Sequence, residues 1–118
     1  MRVLVCGGRD FYDWRLLENT LYELNKEAEQ ITDVIHGDAS GADRLAGQWA
    51  NYYSVECHAF PADWKKLGVA AGPIRNKKML EEGKPELVVA FLRPDSKGTR
   101  NMVDQATKAG VPVKIVEI

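Results

Sequence analysis

The stretch RVLVC, residues 2–6 of the 118-residue sequence, is an almost unbroken apolar run of strand length. The stretch ELVVAF (86–91) is apolar on consecutive positions in the same way, whereas SVECHAF (54–60) and PVKIVEI (112–118) alternate with polar residues. Consecutive apolar positions are typical of central strands in a parallel sheet that helices cover on both faces, and alternation is common at sheet edges. These stretches therefore predict two central and two edge strands of one sheet.

Helical patterns separate the predicted strands, with short turns between them and no linker or internal repeat. A fifth strand is predicted at TDVIH (32–36) and an irregular segment at PADWKKLGVAAG (61–72). The four predicted helices begin after a cap at Asp13, after Ser40, at Pro73 and at Gly98 or Thr99, and the last two end at Gly83 and Gly110. Their predicted inward positions are Leu17, Leu21, Leu24 and Ala28 in the first helix and Leu45, Trp49 and Tyr52 or Tyr53 in the second.

Strands that alternate with helices predict an α/β fold. Right-handed crossovers give a Rossmann-like, doubly wound parallel five-stranded sheet of order 3-2-1-4-5, with helices on both faces. We expect residues 1–118 to form one such domain. Ligands in such folds bind beyond the carboxyl ends of the strands, where the strand order reverses. The turns CGGRDF (6–11) and LRPDSKGT (92–99) should therefore face one crevice, with HGDASGAD (36–43) one strand away.

The composition is that of a globular protein, with 45% hydrophobic and 28% charged residues. No apolar run approaches the roughly 18 residues that a membrane-spanning helix needs, so we expect no membrane partner and a cytoplasmic location. A net charge of −1 disfavours nucleic acid as a partner, because non-specific binding needs a basic surface. Cys6 and Cys57 are predicted to be reduced core thiols on strands too far apart for a disulfide, and Cys6 is a candidate for a position near the site.

The turn after the first predicted strand places Gly7 and Gly8 where a backbone can approach a phosphate or ribose closely. Arg9 and Asp10 follow, so neither the G-x-G-x-x-G nor the Walker pattern is present. Two glycines in this position also fit an ordinary tight turn. All four residues are candidates for ligand binding.

The turn after the second predicted strand contains Gly37, Asp38, Ser40, Gly41 and Asp43, which are also candidate ligand-binding residues. Ser40 followed by Asp43 matches a capping box, which needs no ligand. Asp38 is a candidate acceptor for ribose hydroxyl groups. The alternative is that Asp38 holds a Mg²⁺ ion. Apart from this ion, no cofactor is predicted. His36 is interpreted as a hydrogen-bonded core histidine rather than a catalytic base.

Two arginines are predicted in the first turns of helices, where a positive side chain opposes the helix dipole. A bound anion would reverse that cost, and we favour an anion site for Arg75 in GPIRN (72–76). Asn76, the next residue, is also a candidate ligand-binding residue. Arg100 fits an anion site and a solvated surface equally well. Gly98 and Thr99 in SKGT (96–99) resemble a phosphate-binding turn or an ordinary cap, and Trp64 could stack on a base or cover the edge of the sheet.

Four stretches of the sequence together resemble the YspA-related (YAcAr) branch of the SLOG superfamily over nearly the whole chain. They are VLVCGGRDF (3–11), HGDASGADRLAGQWA (36–50), FPADWKKLGVAAGPIRNKKM (60–79) and the segment from GTRNM (98–102) to Gly110 and the following PV. The resemblance implies a Rossmann-like domain that binds nucleotides or nucleotide-derived ligands, of a kind often encoded by bacteria and their phages.

The wider superfamily contains the lonely-guy phosphoribohydrolases, which cleave the N-glycosidic bond of nucleoside monophosphates. They use an arginine in an R-x-x-x-M stretch and a glutamate after P-G-G-x-G-T. RNKKM (75–79) is similar to the first stretch, but PDSKGTRNM (94–102) has Arg100, Asn101 and Met102 where the acidic residues should follow. Asn101 supplies no carboxylate for glycoside hydrolysis. Asp10, Asp38 or Asp43 would therefore have to take the role of the missing glutamate.

Three functions follow as hypotheses. The first is binding of a small nucleotide-derived ligand that carries phosphate. The second is N-glycosidic hydrolysis of nucleoside monophosphates, with Arg75 and Asp38 as candidate catalytic residues. The third is single-strand DNA binding, which the net charge of −1 disfavours. Proteins with related folds usually form dimers or larger assemblies, so we also expect a homo-oligomer.

Overall fold

A computed structural model describes residues 1–27 and 29–118 of the chain. Its sheet has five parallel strands in the order β3-β2-β1-β4-β5, which confirms the predicted fold class and strand order. The strands are β1 (Arg2–Gly7), β2 (Asp33–His36), β3 (Glu56–Ala59), β4 (Leu87–Leu92) and β5 (Val113–Glu117). Each lies within one or two residues of its predicted bounds.

The helices are α1 (Trp14–Glu27), α2 (Ala42–Tyr52), α3 (Trp64–Leu67), α4 (Ala71–Gly83) and α5 (Lys97–Lys108). The segment predicted to be irregular therefore contains the single turn α3 and a 3₁₀ turn at Gly68–Ala70. Ala28, a predicted inward position of the first helix, lies outside the described residues. No helix within residues 1–27 and 29–118 is both long and apolar enough to cross a membrane.

Two apolar cores lie on opposite faces of the sheet because successive strand residues point to opposite sides. On one face, Val3 and Val5 of β1 pack with α1 and α2 through residues such as Leu17 and Trp49. On the other face, Leu4 and Cys6 pack with α4 and α5 through Met79, Met102 and Ala106. This arrangement explains why β1 and β4 are apolar on consecutive positions.

Two inward predictions are wrong. Cys57 on the edge strand β3 is exposed rather than buried in the core. Tyr52 and Tyr53 are 74% and 47% exposed because α2 ends there, whereas Trp49 is buried as predicted. Their rings meet edge to face on the surface, and the Tyr53 hydroxyl donates a hydrogen bond to Glu18.

The helix starts agree only in part with the sequence. Asp13 caps α1 as predicted, since its carboxylate accepts a hydrogen bond from the Leu16 amide at 3.1 Å. The predicted capping box of Ser40 is wrong, because Gly41 is the N-cap of α2 and no side chain caps it. Arg75 is the fifth residue of α4, since that helix begins at Ala71 rather than at Pro73. It therefore lies in the second turn, beyond the strongest part of the helix dipole.

The strand order reverses between β1 and β4, whose carboxyl ends pair side by side at Gly7 and Phe91. The turns that follow these strands are also joined by an ion pair, with Arg93 Nη1 3.6 Å from Asp10 Oδ2. The two turns therefore face one crevice, as predicted from the topology.

Candidate functional site

A cavity of about 560 Å³ lies beyond the carboxyl ends of the strands. The segments after β1, β2, β3 and β4 all contribute to it, together with α4. Eight of the candidate residues line it: Gly7, Gly8, Arg9, Asp43, Arg75, Asn76, Gly98 and Thr99. Residues far apart in the sequence thus converge on one site.

The other five candidates do not line this cavity: Asp10, Gly37, Asp38, Ser40 and Gly41. Asp10 pairs with Arg93, and the Asp38 carboxylate lies 4.0 Å from the Arg44 Nε atom on the surface. The Asp38 amide donates to His36 Nδ1 at 3.0 Å, which makes His36 a hydrogen-bonded core histidine. Burial lowers the pKa of His36, so that its ring is neutral near pH 7.

Arg75 is held from two directions at the floor of the cavity. Its Nη1 donates to the carbonyl oxygen of Gly37, and its Nε donates to Asn76 Oδ1 at 3.0 Å. A Cβ atom at Gly37 would overlap the guanidinium group, so glycine is needed at this turn to make room for Arg75. The second terminal nitrogen, Nη2, makes no hydrogen bond within the described part of the chain.

Asp43 is 6% exposed and is the one carboxylate among the described residues that line the cavity. Its Oδ2 accepts a hydrogen bond from the Ala39 amide at 3.2 Å. Burial raises the pKa of Asp43 to about 6, although that hydrogen bond and the nearby Arg75 act in the opposite direction. The sequence left this residue as either a helix cap or a ligand-binding residue, and the structure places its titratable carboxyl group at the cavity without a capping role.

The raised pKa of Asp43 predicts a pH effect on stability. Between about pH 4 and 6, Asp43 is protonated in the native state but ionised in the unfolded state. The contribution of Asp43 to the free energy of unfolding therefore falls as pH rises through that range. Asp43→Asn should therefore be more stable than the parent protein at pH 7, by on the order of 2 kcal/mol. The free energies of unfolding of the two proteins, measured by urea denaturation, should become equal near pH 4. A parent protein as stable as the variant at pH 7 would contradict the raised pKa.

Packing explains Gly7 at the edge of the site, and backbone hydrogen bonds fix the position of Gly8. A Cβ atom at Gly7 would lie 2.7 Å from Ala42 Cβ, so α2 rests directly on the end of β1. The Gly8 carbonyl oxygen accepts hydrogen bonds from the amides of Phe11 and Ala42, both at 3.2 Å. The turn after β1 is thereby fixed against the start of α2.

The start of α5 provides open backbone donors. Ser96 precedes the helix, but its hydroxyl group donates to Thr99 Oγ1 at 2.7 Å instead of capping the helix. The first amides of an α-helix have no partner within the helix, so those of Lys97, Gly98 and Thr99 remain available at the cavity wall. A Cβ atom at Gly98 would meet nothing within 4 Å, which leaves this backbone accessible.

Asn76 joins α4 to α5 and holds both in place. Its Nδ2 donates to Asn101 Oδ1 at 3.1 Å and to the Gly98 carbonyl oxygen at 3.4 Å. Its own oxygen accepts from Arg75. Asn76 is therefore a positioning residue that fixes Arg75 relative to the start of α5.

The charges that line the cavity favour an anion. Arg9, Arg75 and Lys97 are positive, and Asp43 is half-protonated near pH 6. Cys6 also lines the cavity, but burial raises the pKa of its thiol, so it is neutral and is not a nucleophile. No three His, Cys, Asp or Glu side chains cluster in a way that would hold a metal ion in the described parts of the chain.

Sequence reasoning missed several lining residues. It noted SKGT as a turn but did not single out Lys97, because α5 begins one residue earlier than predicted. It also missed Val69, which lies in a segment predicted to be irregular. Arg100, by contrast, is exposed and donates to the Pro94 carbonyl oxygen, so the solvated interpretation holds for it.

Comparison with known proteins gives three findings. A sequence profile of the YspA, cpYpsA-related SLOG family matches residues 1–67. The Gene 61 protein of Mycobacterium phage D29 is 34% identical over 117 residues, covering 95% of this chain and 93% of the phage protein. UDP-GlcNAc 2-epimerase from Neisseria meningitidis, in a crystal structure with bound UDP-GlcNAc, matches with a TM-score of 0.62 at 18% identity. That match covers 98% of this chain but 32% of the epimerase, and it concerns the fold alone.

Proposed function

The chain belongs to the YspA, cpYpsA-related SLOG family, and we propose that its cavity binds a nucleotide or nucleotide-derived ligand through a phosphate group. The observation that carries the proposal is the pairing, in one cavity, of the Arg75 guanidinium group with the uncapped start of α5. Helix N-termini and arginine side chains both attract phosphate, and here they line the same space.

The geometry of the donors supports a phosphate rather than a neutral group. Nη1 and Nε of Arg75 are already bonded to the protein, which fixes the guanidinium plane and leaves Nη2 for a ligand. The amides of α5 and the Lys97 side chain add further donors. A volume of about 560 Å³ lies within the range of small-molecule sites, about 300–1,000 Å³, and accommodates a mononucleotide.

A thermal-shift panel tests this proposal. Nucleoside monophosphates, cyclic nucleotides and ADP-ribose derivatives should include at least one stabilising ligand, because a ligand at about 100 times its dissociation constant adds roughly 2.7 kcal/mol to stability. The matching nucleosides, which lack phosphate, serve as the control and should have no effect. A panel without any shift at millimolar concentrations would overturn the proposal.

A second function is favoured by Asp43. Of the three aspartates that could replace the missing glutamate, Asp43 is the one that lines the cavity, and Asp10 and Asp38 face other partners. A buried carboxyl group with a pKa of about 6 is suited to general acid–base chemistry near neutral pH. In N-glycosidic hydrolysis Asp43 would take a proton from the water that attacks the ribose carbon, while the bond from that carbon to the base breaks. Asp43 would then pass this proton to the departing base, while Arg75 holds the phosphate.

The two functions separate in one assay. Incubation with nucleoside monophosphates should release free base, detected by chromatography, if the protein is a hydrolase. Asp43→Asn should then reduce release by at least about 100-fold, the usual contribution of a general acid or base, while binding persists. If the parent protein binds the nucleotide but releases no base, only the binding function is retained.

A cytoplasmic location, a single domain and a homo-oligomer stay predictions.

A further inference from the structure

Two kinds of surface line the cavity. One is the polar surface of Arg75 and the start of α5, which the proposed function uses. The other is apolar and is formed by Trp64, Val69 and Pro73. A ligand that fills both must carry a flat or apolar part in addition to its anion.

Trp64 is the largest side chain on the apolar surface, and it is held at the cavity with 46% of its area exposed. It opens the short helix α3, which Asp63 caps by accepting a hydrogen bond from the Lys66 amide at 3.1 Å. The edge of the ring rests on Gly72, where an added Cβ atom would lie 3.1 Å from Trp64 Cη2. The ring is thus seated on α4 without being buried by it.

Arg9 lies over the face of this ring. Its guanidinium carbon is 5.2 Å from the ring centroid, a cation–π distance. The Arg9 side chain is exposed and follows β1 in a loop, so it can move away from the ring. Both groups line the same cavity as Arg75.

We propose that Trp64 and Arg9 form a stacking clamp for the planar base of the ligand. This inference rests on the proposed function and names the part of the ligand that decides specificity. A base between the ring and the guanidinium group needs about 7 Å, or two contacts of ~3.5 Å, so Arg9 must withdraw by about 2 Å. Any purine or pyrimidine offers the required π face, which makes the class of ligand a nucleotide rather than a sugar phosphate.

The clamp also uses the two surfaces together. A base that stacks on Trp64 covers apolar area that is otherwise in water. Its phosphate then reaches Arg75 and the α5 amides within the same 560 Å³ space. Sugar phosphates without a base would engage the polar surface alone.

Isothermal titration with AMP and with ribose 5-phosphate tests the clamp in the parent protein, in Trp64→Ala and in Trp64→Phe. We expect AMP to bind about tenfold more tightly than ribose 5-phosphate in the parent protein. Trp64→Ala should weaken AMP by about tenfold and leave ribose 5-phosphate unchanged, since stacking on an aromatic side chain contributes a factor of this order. Trp64→Phe, which retains a ring, should keep AMP affinity within about threefold.

The outcomes distinguish the two proposals. Equal affinity for AMP in the parent protein and Trp64→Ala, or equal weakening of both ligands, would overturn the clamp and leave phosphate binding intact. Ribose 5-phosphate as tight as AMP would overturn it too. If neither compound nor any other nucleotide binds the parent protein, the proposed function falls and the clamp falls with it. Because Trp64 is half-exposed, both variants should remain folded, and a thermal melt of each variant measures this.

Discussion

Arg75→Ala should weaken binding of a phosphate-bearing nucleotide by about 100-fold or more while the protein remains folded. Arg75 is partly buried, and among the described residues its Nη2 has no hydrogen-bond partner, so it is available to a ligand in the cavity that Arg75 lines. Truncating one partner of a buried charged hydrogen bond costs about 2–5 kcal/mol, which corresponds to this loss. Titration calorimetry with the ligand found in the thermal-shift panel measures it.

Two further variants define the cause of that loss. Arg100→Ala removes the same charge from the neighbouring helix α5, but Arg100 is exposed and bonds to Pro94, so affinity should not change by more than about twofold. Arg75→Lys keeps the charge but not the planar fork that Gly37 and Asn76 hold, and it should restore little binding. Equal effects of Arg75→Ala and Arg100→Ala would show that only net charge matters.

Arg75→Ala should also change Asp43. The guanidinium group lowers the pKa of that carboxyl group against the effect of burial, so its loss should move the pKa above about 6. An NMR titration of the Asp43 carboxyl carbon measures this shift independently of any ligand. A pKa that stays at about 6 would show that the two side chains are not coupled.

The fold was predictable because its main determinant is local. Consecutive apolar residues in β1 and β4 indicate strands covered on both faces, and the exposed alternation of β3 and β5 places them at the edges. Right-handed crossovers then leave one strand order. The helix starts were predicted less well: α4 begins at Ala71, before its proline, and α2 begins after Gly41 without a side-chain cap. The predicted burial of Cys57 on β3 was also wrong.

The site was predictable only in outline. Topology brings the turns after β1, β2 and β4 to one edge, and that step needs no side-chain detail. Which aspartate faces the cavity depends on side-chain packing. The sequence pattern places Asp38 and Asp43 in one predicted turn. In the structure Asp38 has a left-handed backbone with φ of 57° and pairs with Arg44, whereas Asp43 is on α2 and is buried near Arg75. Sequence spacing does not carry that distinction.

Gly41→Ala should destabilise the protein by about 3 kcal/mol or more, lowering Tm by roughly 10 °C. Two independent costs add at this position. Gly41 has φ of 79° and ψ of −128°, a conformation that side chains disfavour. A Cβ atom there would also overlap the Gly8 carbonyl oxygen and lie 2.6 Å from the Arg9 carbonyl carbon. Backbone atoms cannot move aside as a side chain can, so calorimetric melting should show the loss clearly.

Gly110→Ala separates these two costs. Gly110 has nearly the same φ, 76°, but a Cβ atom there would meet nothing within 4 Å, so only the conformational cost of about 1 kcal/mol remains.

Gly41→Ala should also weaken nucleotide binding, although Gly41 does not line the cavity. The contact of Gly41 with Gly8 and Arg9 sets the turn after β1 against the start of α2, and these two segments carry Arg9 and Asp43. Equal melting temperatures for the two alanine variants would mean that this close approach does not hold the walls of the site together.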